Sequence, residues 1–399
     1  MLKLLLIAPT CDGEDVGEAW VAYQWARHLA DRHDVTLLTY HKRGRRSAAE
    51  QLPGVRVVEW TEPPVLGRAE RLNSMLKPGY VPFHLRTRRW IRTALDRGER
   101  FDVAHQPVPV AMRYPSPLAG LGIPYVVGPV GGSLDSPPQF AGEEGGAPWW
   151  VGLRSLDRGL LRTPPLRRTY EEAACVLGIA PYVRERLTGL RIRRFGTLSE
   201  TALDRLPEPV QRDPDPAEVR LLHVGRLVRT KGARDTIRAL DLVRDLPVSL
   251  DIIGDGDDRA ACAALVAELG LGHQVRLHGR LPRAEIDDFY RRADVFVFPS
   301  YREPGGNVAF EAMGFGLPLV VVDRGGPGAA VDESCGIAVP ANSPEQLARD
   351  VATAIGELVK DAGRRFALGE GARRRVAEIG LWSGKTDRVD AIYAEILSA

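Results

Sequence analysis

Two carboxylates and two cations stand out for the chemistry that their types and positions allow. Glu303 and Glu311, with seven residues between them, lie in PSYREPGGNVAFEAMGFGLP, residues 299–318. Continuous apolar runs of buried-strand type, ADVFVFP and LPLVVVD, stand on either side. Two such strands joined by a loop and a short helix make a βαβ unit. The loop reads Glu303-Pro304-Gly305-Gly306-Asn307. Asn307 is a favoured N-cap, and residues 308–315 carry a helical pattern stopped by Gly316 and Pro318. A glycine-rich loop would thus deliver free backbone N–H groups at a helix N-terminus, where anions bind. A carboxylate repels a diphosphate but accepts hydrogen bonds from sugar hydroxyls beside it, so the combination points to a nucleotide sugar. The alternative for Glu311 is that it complements the helix dipole.

The cations lie in GRLVRTKG, which follows the strand-like VRLLHV. Arg226 comes directly after the strand and Lys231 at the start of the next helix. Both belong at the C-terminal edge of a sheet, where two fixed cations can hold a diphosphate and stabilise charge as it leaves. Arg226 alone reads more simply as a surface cation. Lys231 carries more weight, because the only lysines are Lys3, Lys42, Lys77, Lys231, Lys360 and Lys385, and nearly all positive charge is arginine. In IIGDGDDR, Gly254 and Gly256 follow a strand, but the third glycine of a dinucleotide fingerprint is missing. Asp255-Gly256-Asp257 has the spacing of an Asp-x-Asp metal site without a second cluster to complete it. HGRLP, residues 278–282, ends a strand and is placed to present the backbone of Arg280 and Leu281 to a base.

The elements that must position these groups follow an α/β rhythm. LKLLLIAP, DVTLLTY, VRVVEW, FDVAHQ and IPYVV read as strands of a first doubly wound sheet, with an amphipathic helix after the first. The first loop, Gly13-Glu14-Asp15-Val16-Gly17, lacks G-x-G-x-x-G, which argues against a nicotinamide or flavin dinucleotide there. Gly17 either lets a backbone approach a ligand or simply makes a turn. His105 ends its strand where ligands of α/β sheets gather, though a lone histidine is more often structural. GPVGGS, with Gly131 and Gly132, reads as a flexible loop on the acceptor side. Residues 134–150 lack regular pattern and read as a mobile acceptor loop, followed by a helix that includes RRTYEEAACV. The basic segment 83–92 reads either as a solvated surface helix or as a face for anionic lipid.

The Pro- and Asp-rich LPEPVQRDPDPAEV separates the halves. The expected domains are therefore 1–205, a linker 206–218, a second domain 219–381 and a terminal helix 382–399. A chain of 399 residues is too long for one ordinary core, and 44% hydrophobic residues suffice for two. A net charge of +2 argues against nucleic acid as a partner. No apolar stretch is long enough to span a membrane, and MLKLLLIAPT reads as a strand rather than a signal peptide. Four scattered cysteines suggest reduced cytosolic thiols.

Residues 219–345, with VGRLVRTKG, IIGDGDDR, HGRLP, ADVFVFPS, then Glu303 and Glu311 with EAMGFGLPLVV in that order, resemble the retaining glycosyltransferases of family 4. The first half is similar only in outline. The resemblance implies a GT-B fold: two Rossmann-like domains facing across a cleft, with the terminal helix crossing back. It implies that Arg226 and Lys231 grip the donor diphosphate and that Glu311 binds the ribose. Glu303 would face the transferred sugar, and Gly305, Gly306, Asn307 and Val308 would offer backbone N–H groups. Three segments depart from the family pattern. The GPVGGS loop lacks the usual histidine, Pro304 and Gly305 replace a glycine and an aromatic residue, and Ala329 and Ala330 stand where an acidic residue is common. The expectation is a cytoplasmic hexosyltransferase, membrane-associated through 83–92 in the second of the two readings above, that acts with retention and without metal or cofactor. Its donor would be a nucleotide sugar, UDP first, and its acceptor a small-molecule, lipid or polysaccharide hydroxyl. The alternatives are a GT-B nucleotide-sugar epimerase and an inactive nucleotide-sugar-binding subunit.

Overall fold

Strands of unbroken Val, Leu and Ile have no polar face to give to water, so they must be covered on both sides. The computed structural model describes residues 1–63, 77–132, 134–143 and 157–398. It divides into two units, each built on one parallel sheet.

The first sheet holds β1 (Lys3–Thr10), β2 (Asp34–His41), β3 (Arg56–Thr61), β4 (Val103–Gln106), β5 (Tyr125–Val130), β6 (Cys175–Gly178) and β7 (Phe195–Thr197). Their order is β3-β2-β1-β4-β5-β6-β7, with Leu4 paired to Val35 on one side and Val103 on the other. The last two strands depart from the sequence expectation, which ran a helix through RRTYEEAACV. The helix Pro164–Glu172 stops at an extended Ala173, and the completely or almost completely buried Cys175, Val176 and Leu177 then form a strand. Ala173 and Ala174 are good helix formers and no glycine or proline separates the helix from the strand, so the sequence reads as one helix.

The second sheet holds β8 (Val219–Val224), β9 (Val248–Ile253), β10 (Val275–Gly279), β11 (Val295–Phe298), β12 (Leu319–Val322) and β13 (Gly336–Val339), in the order β10-β9-β8-β11-β12-β13. Period-2 alternation divides each apolar run between two cores. Val295, Val297, Val320 and Val322 pack on one face with helices Ala233–Leu242 and Pro344–Lys360. Phe296, Phe298, Leu319 and Val321 pack on the other with Asn307–Gly314 and Ala362–Ile379. Each such side chain contributes roughly 1.5–3 kcal/mol when fully buried.

The boundaries differ from a simple division of the sequence. The first unit contains residues up to 132, the described part of 157–200, and 385–398; the second contains 134–143 and 201–384. Residues 206–218 are not a free linker. Arg212 donates to the carbonyls of Ala293, Phe315, Gly316 and Tyr290 at 2.7–3.3 Å, and Arg365 donates to Pro214 O at 3.0 Å. Burial lowers the Arg212 guanidinium to about 10. The terminal helix Trp382–Ser398 contributes its residues from 385 to the first unit. There Asp390 meets Arg32 and His33 at 2.9 and 2.7 Å. Among the described residues, no helix is long and apolar enough to cross a membrane.

Candidate functional site

In the second sheet β8 and β11 are neighbours, yet the chain leaves β8 toward β9 and leaves β11 toward β12, in opposite directions. The loops therefore diverge at the C-terminal ends of these two strands, where open α/β sheets bind ligands. The loop after β8 carries Arg226 and Lys231, and the loop after β11 carries Glu303.

The two loops are tied to each other. Ser300 Oγ donates to Thr230 O at 2.9 Å. Gly232 has φ 82°, and a Cβ there would lie 2.4 Å from Pro299 O, so only glycine permits this approach. Lys231 closes a 3-10 turn, Arg229–Lys231, rather than opening the helix, which begins at Ala233. Its ammonium makes an ion pair with Glu303 and lies 6.0 Å over the Phe298 ring. Both charged side chains are largely buried, at 12% and 16% exposure. The other Glu303 oxygen accepts from Gly306 N–H at 3.2 Å. The Glu303 carbonyl accepts from Gly326 N–H at 3.0 Å, where Gly325 approaches so closely that a Cβ would stand 2.1 Å from that oxygen.

The sequence expectation of Asn307 as N-cap is corrected. Gly306, at φ 83°, occupies that position and the helix runs Asn307–Gly314, because the left-handed turn requires glycine. Asn307 Oδ1 instead takes the Thr201 hydroxyl. The loop N–H groups are not all free either, since Gly306 serves Glu303. Gly305 is buried beside it and Val308 is half-buried. Glu311, one turn further on, accepts from Tyr290 Oη at 3.0 Å and pairs with Arg283 at 2.5 Å. Burial first, and then the Glu311 charge, push the Tyr290 phenol well above its ordinary value. Arg226 is exposed on the turn after β8 and pairs with no carboxylate among the described residues. Arg280 is exposed and Leu281 half-buried just past β10, an edge strand.

Sequence reasoning missed Arg283, one arginine among many, and a denser network around Arg229. The Arg229 guanidinium meets Asp235 at 2.5 and 2.8 Å and Glu143 at 2.8 Å. It lies 5.6 Å from the Phe140 ring and 5.5 Å from Tyr301. Burial would lower its pKa, but the bonds to Asp235 outweigh that and raise it. The expectation of a mobile loop at 134–150 is corrected where it is described: Phe140 is fully buried in the core that holds Val295 and Val297. The rest of that loop lies outside the described residues.

The first-unit candidates differ. His105 is completely buried; Nδ1 bonds Tyr393 Oη and Nε2 bonds Gly128 O, both at 2.6 Å. Burial pushes the imidazole down to about 4. Both ring nitrogens are spent in the core, so the acceptor-side assignment is replaced by a structural one. Gly17 caps the helix Glu18–Ala30 at φ 67°, with open space where a Cβ would lie. Gly131 donates to Val110 O at 2.6 Å, and Gly132 O accepts from Tyr182 at 3.1 Å.

Residues 207–375 match the family of glycosyl transferases group 1, and residues 16–195 match the glycosyl transferase 4-like domain. The chain belongs to the family 4 glycosyltransferases. Relatives in that family include the D-inositol 3-phosphate glycosyltransferase of Thermobispora bispora, 35% identical over 46% of this chain and 44% of that protein. The protein of the same name from Corynebacterium jeikeium is 30% identical over 57% and 54%. The chain thus spans about half the length of the curated relatives it matches. Among solved structures, sucrose-phosphate synthase from Thermosynechococcus elongatus superposes with a TM-score of 0.65 at 21% identity, over 99% of both chains. Anabaena Alr3699/HepE in complex with UDP and glucose gives 0.62 at 18%, over all of both. The fold of this family 4 member is GT-B.

Proposed function

We propose that the protein transfers a hexose-type sugar from a nucleoside-diphosphate sugar, UDP first, to an acceptor hydroxyl with retention of anomeric configuration. The observation that carries this is the buried Lys231–Glu303 pair, a cation and a carboxylate held side by side where the β8 and β11 loops diverge. Lys231, with Arg226, holds the diphosphate and stabilises the charge it gains as the bond from its oxygen to the anomeric carbon breaks. Glu303 faces the sugar, whose anomeric carbon becomes positive. The acceptor oxygen bonds to that carbon on the face the diphosphate leaves, and its proton passes to a departing phosphate oxygen. Glu311 takes the ribose hydroxyls. The solved relatives with UDP, and with UDP-glucose, make UDP the first donor to try.

The wild-type protein is to be incubated with UDP-, GDP- and ADP-sugars, with and without polyol-phosphate acceptors such as the inositol phosphate in its relatives' names. Nuclear magnetic resonance then reads the product anomer. Transfer with retained configuration is the expected result, and turnover is expected to persist in EDTA because Lys231 and Arg226 supply the positive charge. An inverted product would overturn retention. An isomerised nucleotide sugar would favour the epimerase, and binding without turnover the inactive subunit.

The membrane reading attaches to the helix Tyr80–Asp96. Phe83 and Ile91 face the core, while Val81 and Leu85 are 65% and 62% exposed beside exposed Arg86, Arg89 and Arg92. Apolar residues flanked by cations suit anionic lipid. Sedimentation with anionic but not zwitterionic vesicles is the expected result.

A further inference from the structure

We propose that residues 134–143 are part of the donor site and that Glu143 is a positioning residue for Lys231. The proposal rests on the reading of Lys231 given above and extends it to a segment that precedes the second unit's first strand by about 75 residues.

Arg229 lies two residues before Lys231 in the same short turn. Its position is fixed from four sides. Asp235 holds one edge of the guanidinium and Glu143 holds Nε at 2.8 Å; Phe140 lies near one ring distance of 5.6 Å and Tyr301 near 5.5 Å. Two of those four partners come from residues 134–143. Tyr301 in turn lies two residues before Glu303, and its ring meets Phe140 at 4.2 Å. Arg229 and Phe140 therefore lock both loops of the site against each other.

The remainder of the segment continues along the same loops. Ser136 Oγ accepts from Arg302 at 3.0 Å, immediately before Glu303. Asp135 O accepts from Arg324 at 2.7 Å, immediately before Gly325, and Leu134 lies against Gly325 itself. These three successive contacts fall on Arg302, next to Glu303, and on Arg324 and Gly325, beside the Glu303 carbonyl.

Charge gives Glu143 its particular role. Arg229, Arg234 and Arg238 gather around Asp235, Asp258 and Glu143, three cations with three carboxylates. Burial would raise the Glu143 carboxyl, but the hydrogen bond from Arg238 and the charges of Arg229 and Arg238 outweigh it and hold it below its ordinary value. Without Glu143 one positive charge is left uncompensated beside the turn that carries Lys231. That turn then loses its fixed geometry, and a catalytic cation displaced by about 1 Å can lose up to roughly a hundredfold in rate.

The test uses the full chain and two readouts. The first is acetylation of Lys231 by N-hydroxysuccinimide acetate, followed by mass spectrometry against Lys42 and Lys360. Glu143→Ala is expected to speed Lys231 labelling at least about threefold with the reference lysines unchanged; an unchanged Lys231 rate overturns the positioning role. This needs no substrate, so it decides the proposal even if no nucleotide sugar is turned over, an outcome that would sink only the transfer reading. The second is kinetic. Glu143→Ala should lower kcat about tenfold with donor KM within about threefold, and Glu143→Asp should recover part of the loss. In a Lys231→Ala background Glu143→Ala should cost less than about twofold, since it acts through Lys231. A full tenfold further loss there overturns the proposal. If Glu143→Ala does not fold, Glu143→Gln, which keeps the shape and removes the charge, carries the same measurements with the same criteria.

Discussion

The two sheets share the strand order 3-2-1-4-5-6 counted within each unit, to which the first adds a seventh strand, and so each has a point where successive loops diverge. In the first unit that point lies between β1 and β4, and β4 carries His105. In the second it lies between β8 and β11, and the loop after β11 carries Glu303. The difference is where the polar atoms point. His105 spends both nitrogens on Tyr393 and Gly128 inside the core. Glu303 and Lys231 pair with each other at the ends of the strands, and Glu303 also accepts from Gly306 N–H; both keep a small exposed fraction, 16% and 12%. Topology makes a crevice available in both sheets; whether it does chemistry depends on the side chains whose charge is still exchangeable for a ligand's.

The sharpest way to break this comparison is Lys231→Ala. It should lower kcat roughly 10²-fold or more, as loss of one group that stabilises developing charge does. An unchanged rate in steady-state kinetics would leave Lys231 with a structural role only, in its ion pair with Glu303. Next comes Glu303→Gln, expected to lower kcat about 10- to 100-fold with little change in donor KM, because in the proposed mechanism its interaction grows as the anomeric carbon becomes positive. Glu311→Gln should show the reverse pattern. A ribose contact exists in ground and transition states alike, so donor KM should rise about tenfold with kcat nearly constant. If the two patterns are exchanged, the roles of the two glutamates are exchanged.

The smallest kinetic effect belongs to the first unit. His105→Gln should leave kcat within about twofold but cost about 1–3 kcal/mol of stability, the penalty for buried partners left unpaired. A large fall in kcat with unchanged denaturation would place His105 in the site after all. The pH dependence has a definite sign. His105 and His223 are both held neutral to about 4 by burial, against roughly 6.5 when unfolded. Between those values the unfolded chain binds more protons, so stability is full above about 6.5 and declines as pH falls through about 4. The loss is on the order of 3 kcal/mol per histidine. Denaturant midpoints at pH 7.5 and 5 should differ accordingly, and by less in His105→Gln.

The second sheet was legible because β11 and β12 are continuous apolar runs, because Gly225, Gly254 and Gly279 mark the ends of β8, β9 and β10, and because Lys231 stands out in a lysine-poor chain. The Glu303 loop was legible for its glycines, although its cap residue was misread: sequence favours Asn307, but the turn needs a positive φ that Gly306 supplies. Strands β6 and β7 were not legible: Ala173 and Ala174, good helix formers, run the helix into Cys175–Gly178 with no glycine or proline between, and β7 has three residues with a central glycine. Glu143 left no signal at all. Its partners Arg229, Arg234 and Arg238 lie 86 or more residues away, and an arginine-rich composition hides which arginines are paired. The same composition hid Arg283 beside Glu311.

The terminal helix has a consequence for how the protein is made. His105 needs Tyr393, and His33 and Arg32 need Asp390. Those partners leave the ribosome only after the whole second unit has been synthesised. The first unit, although nearly all of it is translated first, therefore completes its core last. The second unit holds residues 134–143, 201–384 and every contact of its sheet without that helix end. Order of translation and order of completion are reversed, and a released chain that ended before residue 385 would carry a complete second unit attached to an incomplete first.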